Sequence, residues 1–425
     1  MRHIHIALLA IVVAFPAGVS AGETGSQILT PANITGDEIR RIAVVPINFE
    51  GQRTRPTTQA RLGNMFFNSP DTDKFSESLA SYWELSSYGR ERLEGKVFGL
   101  TPIDGKSSCK VSRFMDGWAE QAKDFWAERG EDLDEYDHLF LIMPRRDCDF
   151  GGIANMPGKL IVINQYPTDW ASARARSSTT LSTIAHELLH NLGFEHSGIV
   201  GCVAEGKKIS LGGVCKETDR YKYDWDPYEI ITSSGYWPKH LLNSFQRITL
   251  GFIPESEQVR LDTSGTYNVS LNPIEFSASA TKALIIRRTG LSEYVTPTYD
   301  SDEMPTAGAP DICVEWHQPR GWFNDFAPKS SIVRGVTMRL CDLYSGGVEY
   351  LLEEGGSETG LYQAGTRLID ATPGSKSGKA DWTDAQLTKG GWTDEFTGIT
   401  VRVLGFDKSG TDRSQWSVNL EVVIP

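Results

Sequence analysis

The pattern of apolar and polar residues divides this chain into two parts. In the first part, short apolar runs alternate with segments whose apolar residues recur every three or four positions, which indicates strands and amphipathic helices. The predicted strands are 40–49, 97–100, 136–143 and a hairpin over 153–164, and the predicted helices are 74–88, 114–129, 178–192 and 238–250. This pattern predicts an α+β domain over residues 38–255.

The pattern changes after Pro254. Short alternating runs are separated there by turns of Gly, Asp, Ser and Thr, and no strong helix pattern appears. The predicted strands are 267–271, 283–287, 312–317, 332–340, 399–404 and 416–423. We therefore expect a second, all-β domain over residues 256–425, an antiparallel β-sandwich or jelly roll.

The N-terminus has the features of a secretory signal. Arg2 is followed by an apolar run from Ile4 to Phe15 and by small residues up to Ala21, which predicts a signal peptide over residues 1–21. A short segment, 22–37, then precedes the first strand. The apolar run is too short to span a membrane, and no later stretch approaches about 18 uninterrupted apolar residues. We expect a secreted protein without a transmembrane segment, located in the periplasm if the source is Gram-negative.

Charge and cysteine content agree with export. The net charge of −13 over 425 residues argues against binding to nucleic acid through general electrostatics. An even number of cysteines, six, favours disulfides in an exported chain. Proximity in sequence suggests the pairs Cys109–Cys148, Cys202–Cys215 and Cys313–Cys341, although six cysteines allow fifteen connectivities.

The predicted helix over 178–192 carries the pattern H-E-x-x-H-x-x-G-x-x-H. His186 and His190 lie one turn apart on the same helix face, a spacing that lets both imidazoles bind one zinc ion. Gly193 can adopt the left-handed conformation that ends a helix, so the chain can turn and bring in His196 as a third ligand. The five fixed positions would coincide by chance with a probability on the order of 10⁻⁵ per chain.

Three imidazoles leave one zinc position open, which distinguishes a catalytic from a structural site. Glu187 follows the first histidine, where its carboxylate can reach water on the metal without binding the metal itself. The pattern thus predicts one catalytic Zn²⁺, with Glu187 as a general base that takes a proton from water as it attacks a carbonyl.

The arrangement resembles the metzincins, and the flanking residues resemble the gametolysin-like metallopeptidases. Similar segments cover about 38–255 and include Tyr136–Pro144, Gly152–Ala154, Pro157-Gly158, Ser87–Gly89, Asn243–Phe245 and Leu250–Phe252. The resemblance implies a metzincin-like domain with a twisted mixed sheet and an active-site helix. It also implies a zinc endopeptidase with ligands His186, His190 and His196 and with Glu187 as general base. It also implies an edge strand at Gly152, Ile153 and Ala154 that pairs with extended substrate; an ordinary hairpin is the alternative.

One position departs from the metzincin pattern. These enzymes place a methionine in a turn beneath the zinc, and here the matching segment, 226–235, has Ile231 at that position. Isoleucine is similar in volume but stiffer, so it can fill the apolar floor with a different shape. Tyr228 and Tyr236 are candidates to stabilise the oxyanion through their hydroxyls; the alternative for each is a packed aromatic.

Two further binding sites have less support. Asp224 and Asp226 are candidate calcium ligands, but no full oxygen-ligand loop surrounds them. The C-terminal domain could bind glycan or wall polymer, dock on the first domain, or only stabilise it.

We therefore expect a secreted zinc endopeptidase that cleaves extracellular or wall-associated proteins. The alternative hypothesis is a secreted binding or adhesion protein whose metalloprotease domain is catalytically impaired. Glu187 and the three histidines argue against this alternative, whereas Ile231 is compatible with it.

Overall fold

The computed structural model of this protein describes residues 38–51, 58–67, 78–144, 148, 150–164, 173–215, 226–232, 240–277, 279–289, 311–321, 323–341, 343, 348–350, 360–362 and 366–425. The predicted signal peptide (1–21), the segment 22–37, Asp224 and Tyr236 lie outside these residues.

The first part of the chain builds a mixed β-sheet. Its strands are β1 (Glu38–Phe49), β2 (Glu91–Val97), β3 (Thr101–Ile103), β4 (His138–Ile142), β5 (Gly152–Ala154) and β6 (Leu160–Ile163). Their order is β2-β1-β4-β6-β5, and β3 pairs with the last residues of β1. All pairings are parallel except that of β5, which runs antiparallel to β6 and ends one side of the sheet.

Helices cover both faces of this sheet. They are α1 (Gln59–Phe66), α2 (Leu79–Ser87), α3 (Met115–Ala127), α4 (Ala173–Asn191) and α5 (Ser244–Thr249). Because successive strand residues point to opposite faces, Ile42 and Val44 pack with α2 and α4, whereas Ala43 and Val45 pack with α3. Short 3₁₀ turns lie at Val111–Arg113, Leu133–Glu135, Glu255–Glu257, Gly378–Asp384 and Arg413–Gln415.

The later part of the chain forms two larger sheets that pack face to face. The strands of this part are β7 (Gly198–Val200), β11 (Gln258–Leu261), β12 (Gly265–Leu271), β13 (Ala283–Arg287), β14 (Asp311–Trp316), β15 (Val336–Cys341), β18 (Arg367–Ile369), β19 (Gly390–Thr393), β20 (Thr400–Asp407) and β21 (Ser417–Ile424). One sheet has the order β11-β13-β14-β15-β18-β7 and the other β12-β21-β20-β19. Apolar residues of both sheets share one hydrophobic cluster, which includes Val314 and Met338 from the first sheet and Val401 and Leu420 from the second.

Two small sheets and one helix complete the described elements. The strands are β8 (Cys202–Ala204), β9 (Lys207–Ile209), β10 (Val214–Cys215), β16 (Val348–Tyr350) and β17 (Gly360–Tyr362), and the helix is α6 (Ser331–Arg334). The molecule is thus of mixed α and β structure with several sheets, as the sequence pattern predicts at this level.

Several predicted elements are wrong in detail. Residues 98–100 link β2 to β3 instead of forming a strand. The Phe98 amide donates to the Val44 carbonyl (2.9 Å) and keeps this link beside β1. The last helix of the first part begins at Ser244, not at 238, because Asn243 caps it.

The expectation of an all-antiparallel second part is also wrong. β11 pairs with β13 in parallel, and so does β18 with β7. Residues 332–334, predicted as strand, belong to α6; Gly335 then allows close approach to the Leu387 carbonyl, which a Cβ at this position would meet at 2.8 Å.

The strand β7 precedes the predicted domain boundary at 255/256, yet all other strands of its sheet follow that boundary in the chain. Residues Gly198, Ile199 and Val200 pair with Arg367, Leu368 and Ile369. The boundary stays a prediction, but the two parts of the chain are joined by main-chain hydrogen bonds close to His196.

The three cysteine pairs suggested by sequence proximity are disulfides in the structure: Cys109–Cys148, Cys202–Cys215 and Cys313–Cys341. The last pair joins β14 to β15. Among the described residues, every helix is too short or too polar to cross a lipid bilayer.

Candidate metal centre

The helix α4 ends in a glycine turn that redirects the chain toward the histidines. Gly193 has a φ of 89°, in the left-handed region. Its amide donates to the His190 carbonyl (2.8 Å), and the Phe194 amide donates to the Leu189 carbonyl (3.0 Å). These two bonds form a Schellman motif, and they let His196 come back beside the helix end.

The three predicted histidine ligands converge on one point. Their Nε2 atoms lie 3.1 Å apart in each of the three pairs, His186–His190, His186–His196 and His190–His196. These three histidines form a group that could hold a metal ion. Among the described residues, no other group of three or more histidines, cysteines or acidic residues has this arrangement. Zinc bonds of about 2.0–2.1 Å in a tetrahedral site place neighbouring nitrogens about 3.3 Å apart, so the spacing suits zinc.

The hydrogen bonds of the other ring nitrogens show which nitrogen is free to bind metal. Nδ1 of His186 lies 3.0 Å from the Ile230 carbonyl oxygen, and Nδ1 of His190 lies 2.8 Å from the Phe194 carbonyl oxygen. Because a carbonyl oxygen can only accept, each Nδ1 carries the proton, and in a neutral ring Nε2 then presents a lone pair. The Nε2 lone pairs of His186 and His190 therefore face each other across 3.1 Å and repel each other. A cation bound by both rings would remove this repulsion.

Burial keeps these rings neutral. It lowers the pKa of His186 well below its usual range, and the neighbouring histidines lower it further. Burial also lowers the pKa of His190. Neutral imidazole is the form that binds zinc, so the donor set fits this metal.

Glu187 lies in the same buried pocket, with 4% of its surface exposed. Burial raises the pKa of its carboxyl to about 8; a cation on the adjacent histidines would favour the charged form. The side chain lies directly against β5, since a Cβ at Gly152 would come within 2.5 Å of Glu187 Cγ and 2.8 Å of Oε1. The glycine at this position thus makes room for the glutamate.

The predicted floor residue, Ile231, is buried in the same hydrophobic cluster as Ala185, Leu188 and Leu189 of α4. Its carbonyl oxygen accepts a hydrogen bond from the Ser197 amide (2.6 Å), next to His196. The preceding residue, Ile230, orients His186. Residues 230 and 231 therefore contact His186 and the residue that follows His196.

The structure describes one of the two predicted oxyanion stabilisers, Tyr228. The Tyr228 hydroxyl donates to the Thr383 carbonyl (2.6 Å), and burial raises its pKa to about 12. Tyr228 would have to break this bond to donate to a substrate, and Tyr236 lies outside the described residues, so both roles stay predictions. The carboxylate of Asp226, a predicted calcium ligand, is bound to Arg339 and to the Tyr228 amide.

The predicted substrate-binding strand is the edge strand β5. It pairs with β6 on one side, and no other strand in the described part of the chain pairs with its second edge. Gly152 at its start touches Glu187, so the open strand edge begins beside the candidate general base.

Sequence reasoning missed the groups that hold the ligands. The carbonyl of Ile230 and the side chains of Arg339 and Arg367 have no signature in the pattern. Only the Phe194 carbonyl could have been expected, because a Schellman turn at Gly193 fixes the position of the next residue.

Replacement of Gly193 by alanine is expected to weaken both folding and zinc binding. A non-glycine residue at φ 89° costs about 1–2 kcal/mol, and relief of this strain would move His196 away from the other two histidines. We expect urea denaturation to show a loss of stability of this size and chelator competition to show weaker zinc binding.

The matched control is Gly117→Ala in α3, where a Cβ would have no neighbour within 4 Å and where φ is not in the left-handed region. It should stabilise by about 0.5–1 kcal/mol, as expected for glycine in a helix interior, and leave zinc affinity unchanged. Equal stability of Gly193→Ala and the original protein would contradict the proposed turn.

Comparison with known proteins identifies one family. The family model described as gametolysin peptidase M11 matches residues 51–213. The matched region includes the three histidines and Glu187, and it ends before residues 226–232. No curated protein matches the chain.

A solved structure titled "Structure of a chaperone-substrate complex" is similar over part of the chain. The identity is 11% and the TM-score 0.22, over 40% of this chain and 26% of that chain. This chain thus spans about a quarter of the length of that one, and a TM-score of 0.22 supports no conclusion about fold or function.

Proposed function

Since residues 51–213 of this chain match the model of the gametolysin peptidase family, a family of metallopeptidases, we propose that the protein is a zinc-dependent endopeptidase. The proposed ligands are His186, His190 and His196, and the proposed general base is Glu187. We further propose that the domain around them is metzincin-like and that Ile231 replaces the methionine of its floor.

The observation that carries this proposal is the convergence of three Nε2 atoms at 3.1 Å from one another. Two of the three rings are fixed by backbone carbonyls in the tautomer that a zinc ligand needs. A set of three neutral imidazoles leaves an open position for substrate or water, as catalytic zinc sites do.

Zinc in this site would supply Lewis-acid chemistry: it would acidify water and polarise the carbonyl of the scissile bond. Glu187 takes a proton from the attacking water and returns it to the leaving amine. Burial of Glu187 excludes bulk water, which strengthens its interaction with charged groups in the site.

The open edge of β5 is the proposed binding site for an extended peptide. A substrate strand added there would pair its backbone with Gly152, Ile153 and Ala154. This places the peptide along the sheet edge that begins beside Glu187, so that main-chain hydrogen bonds can orient a scissile bond at the metal site. Because such pairing uses main-chain groups, it can bind protein substrates of different sequences.

We also propose that the protein is secreted and acts on extracellular or wall-associated proteins. Three disulfides are compatible with an oxidising compartment. Glycan or wall-polymer binding by the later sheets, calcium binding and the signal peptide have no further support from the structure.

The proposal is tested by zinc content and cleavage of unfolded casein, with and without 1,10-phenanthroline. We expect one equivalent of zinc, loss of cleavage with the chelator, and recovery of cleavage when zinc is added back. A close analogue that does not bind metal, 1,7-phenanthroline, serves as the matched control and should leave cleavage unchanged.

Bound zinc without cleavage of any unfolded protein would favour the alternative of a binding protein with an impaired peptidase domain. In that case Ile231→Met tests whether the floor residue is the cause. Absence of zinc from the folded protein, even after incubation with Zn²⁺, would refute the metal site itself.

A further inference from the structure

We infer that the sheet containing β14, β15 and β18 is part of the scaffold of the metal site, and that Arg367 and Arg339 are positioning residues for His196 and His186. This inference rests on the proposed zinc site. It concerns residues beyond the region that the family model matches, within the predicted second domain over residues 256–425.

The third ligand, His196, is held from β18. Nη1 of Arg367 donates to the His196 carbonyl oxygen (2.8 Å). The next two residues are held by Thr366, whose hydroxyl lies 3.0 Å from the Ser197 hydroxyl and whose carbonyl accepts from the Gly198 amide (2.9 Å). Three consecutive residues starting at the ligand therefore depend on residues 366 and 367 for their position.

The first ligand, His186, is held through a longer chain of contacts. Its Nδ1 donates to the carbonyl of Ile230, and Asp226 contributes to holding the segment 226–231 that contains this residue. One oxygen of this carboxylate accepts from the Tyr228 amide (2.8 Å), and the other accepts from Nε of Arg339 in β15 (2.9 Å). Arg339 thus anchors the segment that presents the carbonyl.

The same segment is also held by α5. The Glu229 carboxylate accepts hydrogen bonds from the side chains of Asn243 and Gln246, the latter at 2.8 Å. It also accepts a hydrogen bond from the Ile230 amide (3.0 Å). The segment then connects the two ligands, because the Ile231 carbonyl accepts from the Ser197 amide. Residues 226–231 and 196–198 therefore form one hydrogen-bonded unit between the helix α4 and the sheet.

The residues that anchor this unit are buried charges. Arg339 is 2% exposed and forms ion pairs with Asp226 and Glu315. Although burial opposes ionisation, Arg339 and His317 hold the pKa of Glu315 well below its usual range. Removal of Arg339 would take away the ion-pair partner of the buried Asp226 carboxylate and one of the two cations beside Glu315, and loss of a buried ion-pair partner strongly destabilises proteins. Arg367 is the better position for a test, because the group it contacts at the ligand is a neutral carbonyl.

The test uses the full chain with three substitutions. Arg367→Met removes the hydrogen-bond donors and keeps the aliphatic part of the side chain, Arg367→Lys restores one donor, and Arg402→Met is the matched control. Arg402 lies on β20, and its pair with Glu421 is at the surface. Zinc affinity is measured by competition with a chromogenic chelator, and the absorption spectrum of the Co²⁺-substituted protein reports ligand geometry.

We expect Arg367→Met to lose about tenfold or more in zinc affinity, as changes behind metal ligands do, and to shift the Co²⁺ absorption bands. Arg367→Lys should recover most of the affinity, and Arg402→Met should match the original protein. Unchanged affinity and spectrum in a folded Arg367→Met protein would overturn the inference.

Two further outcomes are distinguished by the same experiment. If the unsubstituted protein binds no zinc, the proposed function fails, whatever the variants do. If Arg367→Met does not fold, Thr366→Val decides the question: it removes only the contact with the Ser197 hydroxyl, and a loss of zinc affinity supports the inference, whereas equal affinity overturns it.

Discussion

Replacement of Glu187 by glutamine is expected to reduce the turnover of casein by about a thousandfold. A reduction of this size lies within the range that a general base contributes to catalysis. Glutamine has nearly the same shape and fits beside Gly152, but its amide cannot accept a proton from water at neutral pH. The three histidines do not change, so zinc content should stay at one equivalent. Turnover and metal content must be measured on the same preparation.

The matched control is Glu84→Gln, at an exposed position of α2. It makes the same chemical change away from the metal site and should alter turnover by less than about twofold, as surface substitutions do. Full activity in Glu187→Gln would refute the assigned base, whereas loss of zinc from this variant would indicate that the carboxylate supports the metal instead of the proton transfer.

Replacement of Gly152 by alanine is expected to lower kcat by about a hundredfold, because displacement of a catalytic group by about 1 Å has an effect of this size. The new methyl group would lie 2.5 Å from Cγ and 2.9 Å from Cδ of Glu187, well inside the about 3.5–4.0 Å separation of carbon atoms in contact. Either the carboxylate or β5 must move. The histidine contacts do not involve Gly152, so zinc affinity should be unchanged.

The neighbouring glycine provides the control for this substitution. A Cβ at Gly151 would lie 3.2 Å from Cγ2 of Thr183, one turn before Glu187 in α4. Gly151→Ala therefore adds the same methyl group at the residue just before β5 with a milder contact, and kcat should fall by less than about tenfold. Equal kcat values for Gly152→Ala and the original protein would show that the carboxylate can act from more than one position.

The family match and the contacts of the metal site cover different parts of the chain. The match ends at residue 213, whereas the contacts that hold His186 and His196 come from residues 226–231, 339 and 366–367. The proposed chemistry therefore resides in the matched region, but the proposed support of its ligands does not. A comparison limited to residues 51–213 would not detect a loss of Arg367 or Arg339.

The helices and strands of the first part were predictable because their buried residues recur at the short, regular spacing of a helix or a strand. Successive residues of β1 alternate between two hydrophobic clusters, and this alternation is readable as a buried strand. Boundaries were less predictable. The helix α5 starts six residues later than its apolar pattern suggests, because the Asn243 cap, with Gln246, decides where the helix begins.

The pairing of distant strands was not predictable from local patterns. Residues 198–200 are in none of the strands that the sequence pattern predicts, yet they form β7 and pair with β18, about 170 residues later. The parallel direction of this pair and of β11 with β13 has no sequence signature either, since an apolar strand can be paired in both directions. Only the folded chain selects one.

The sequence by itself determined which residues can bind metal: the i, i+4 spacing of His186 and His190 and the glycine before His196 are local, and local geometry follows from helix period and backbone sterics. The three disulfides also followed from proximity in the chain. The tertiary structure alone decided how these ligands are held. Gly152 beside Glu187, the Ile230 carbonyl at His186 and Arg367 at His196 are contacts between residues separated by 35 or more positions, and such contacts depend on how whole elements pack, which no local pattern records.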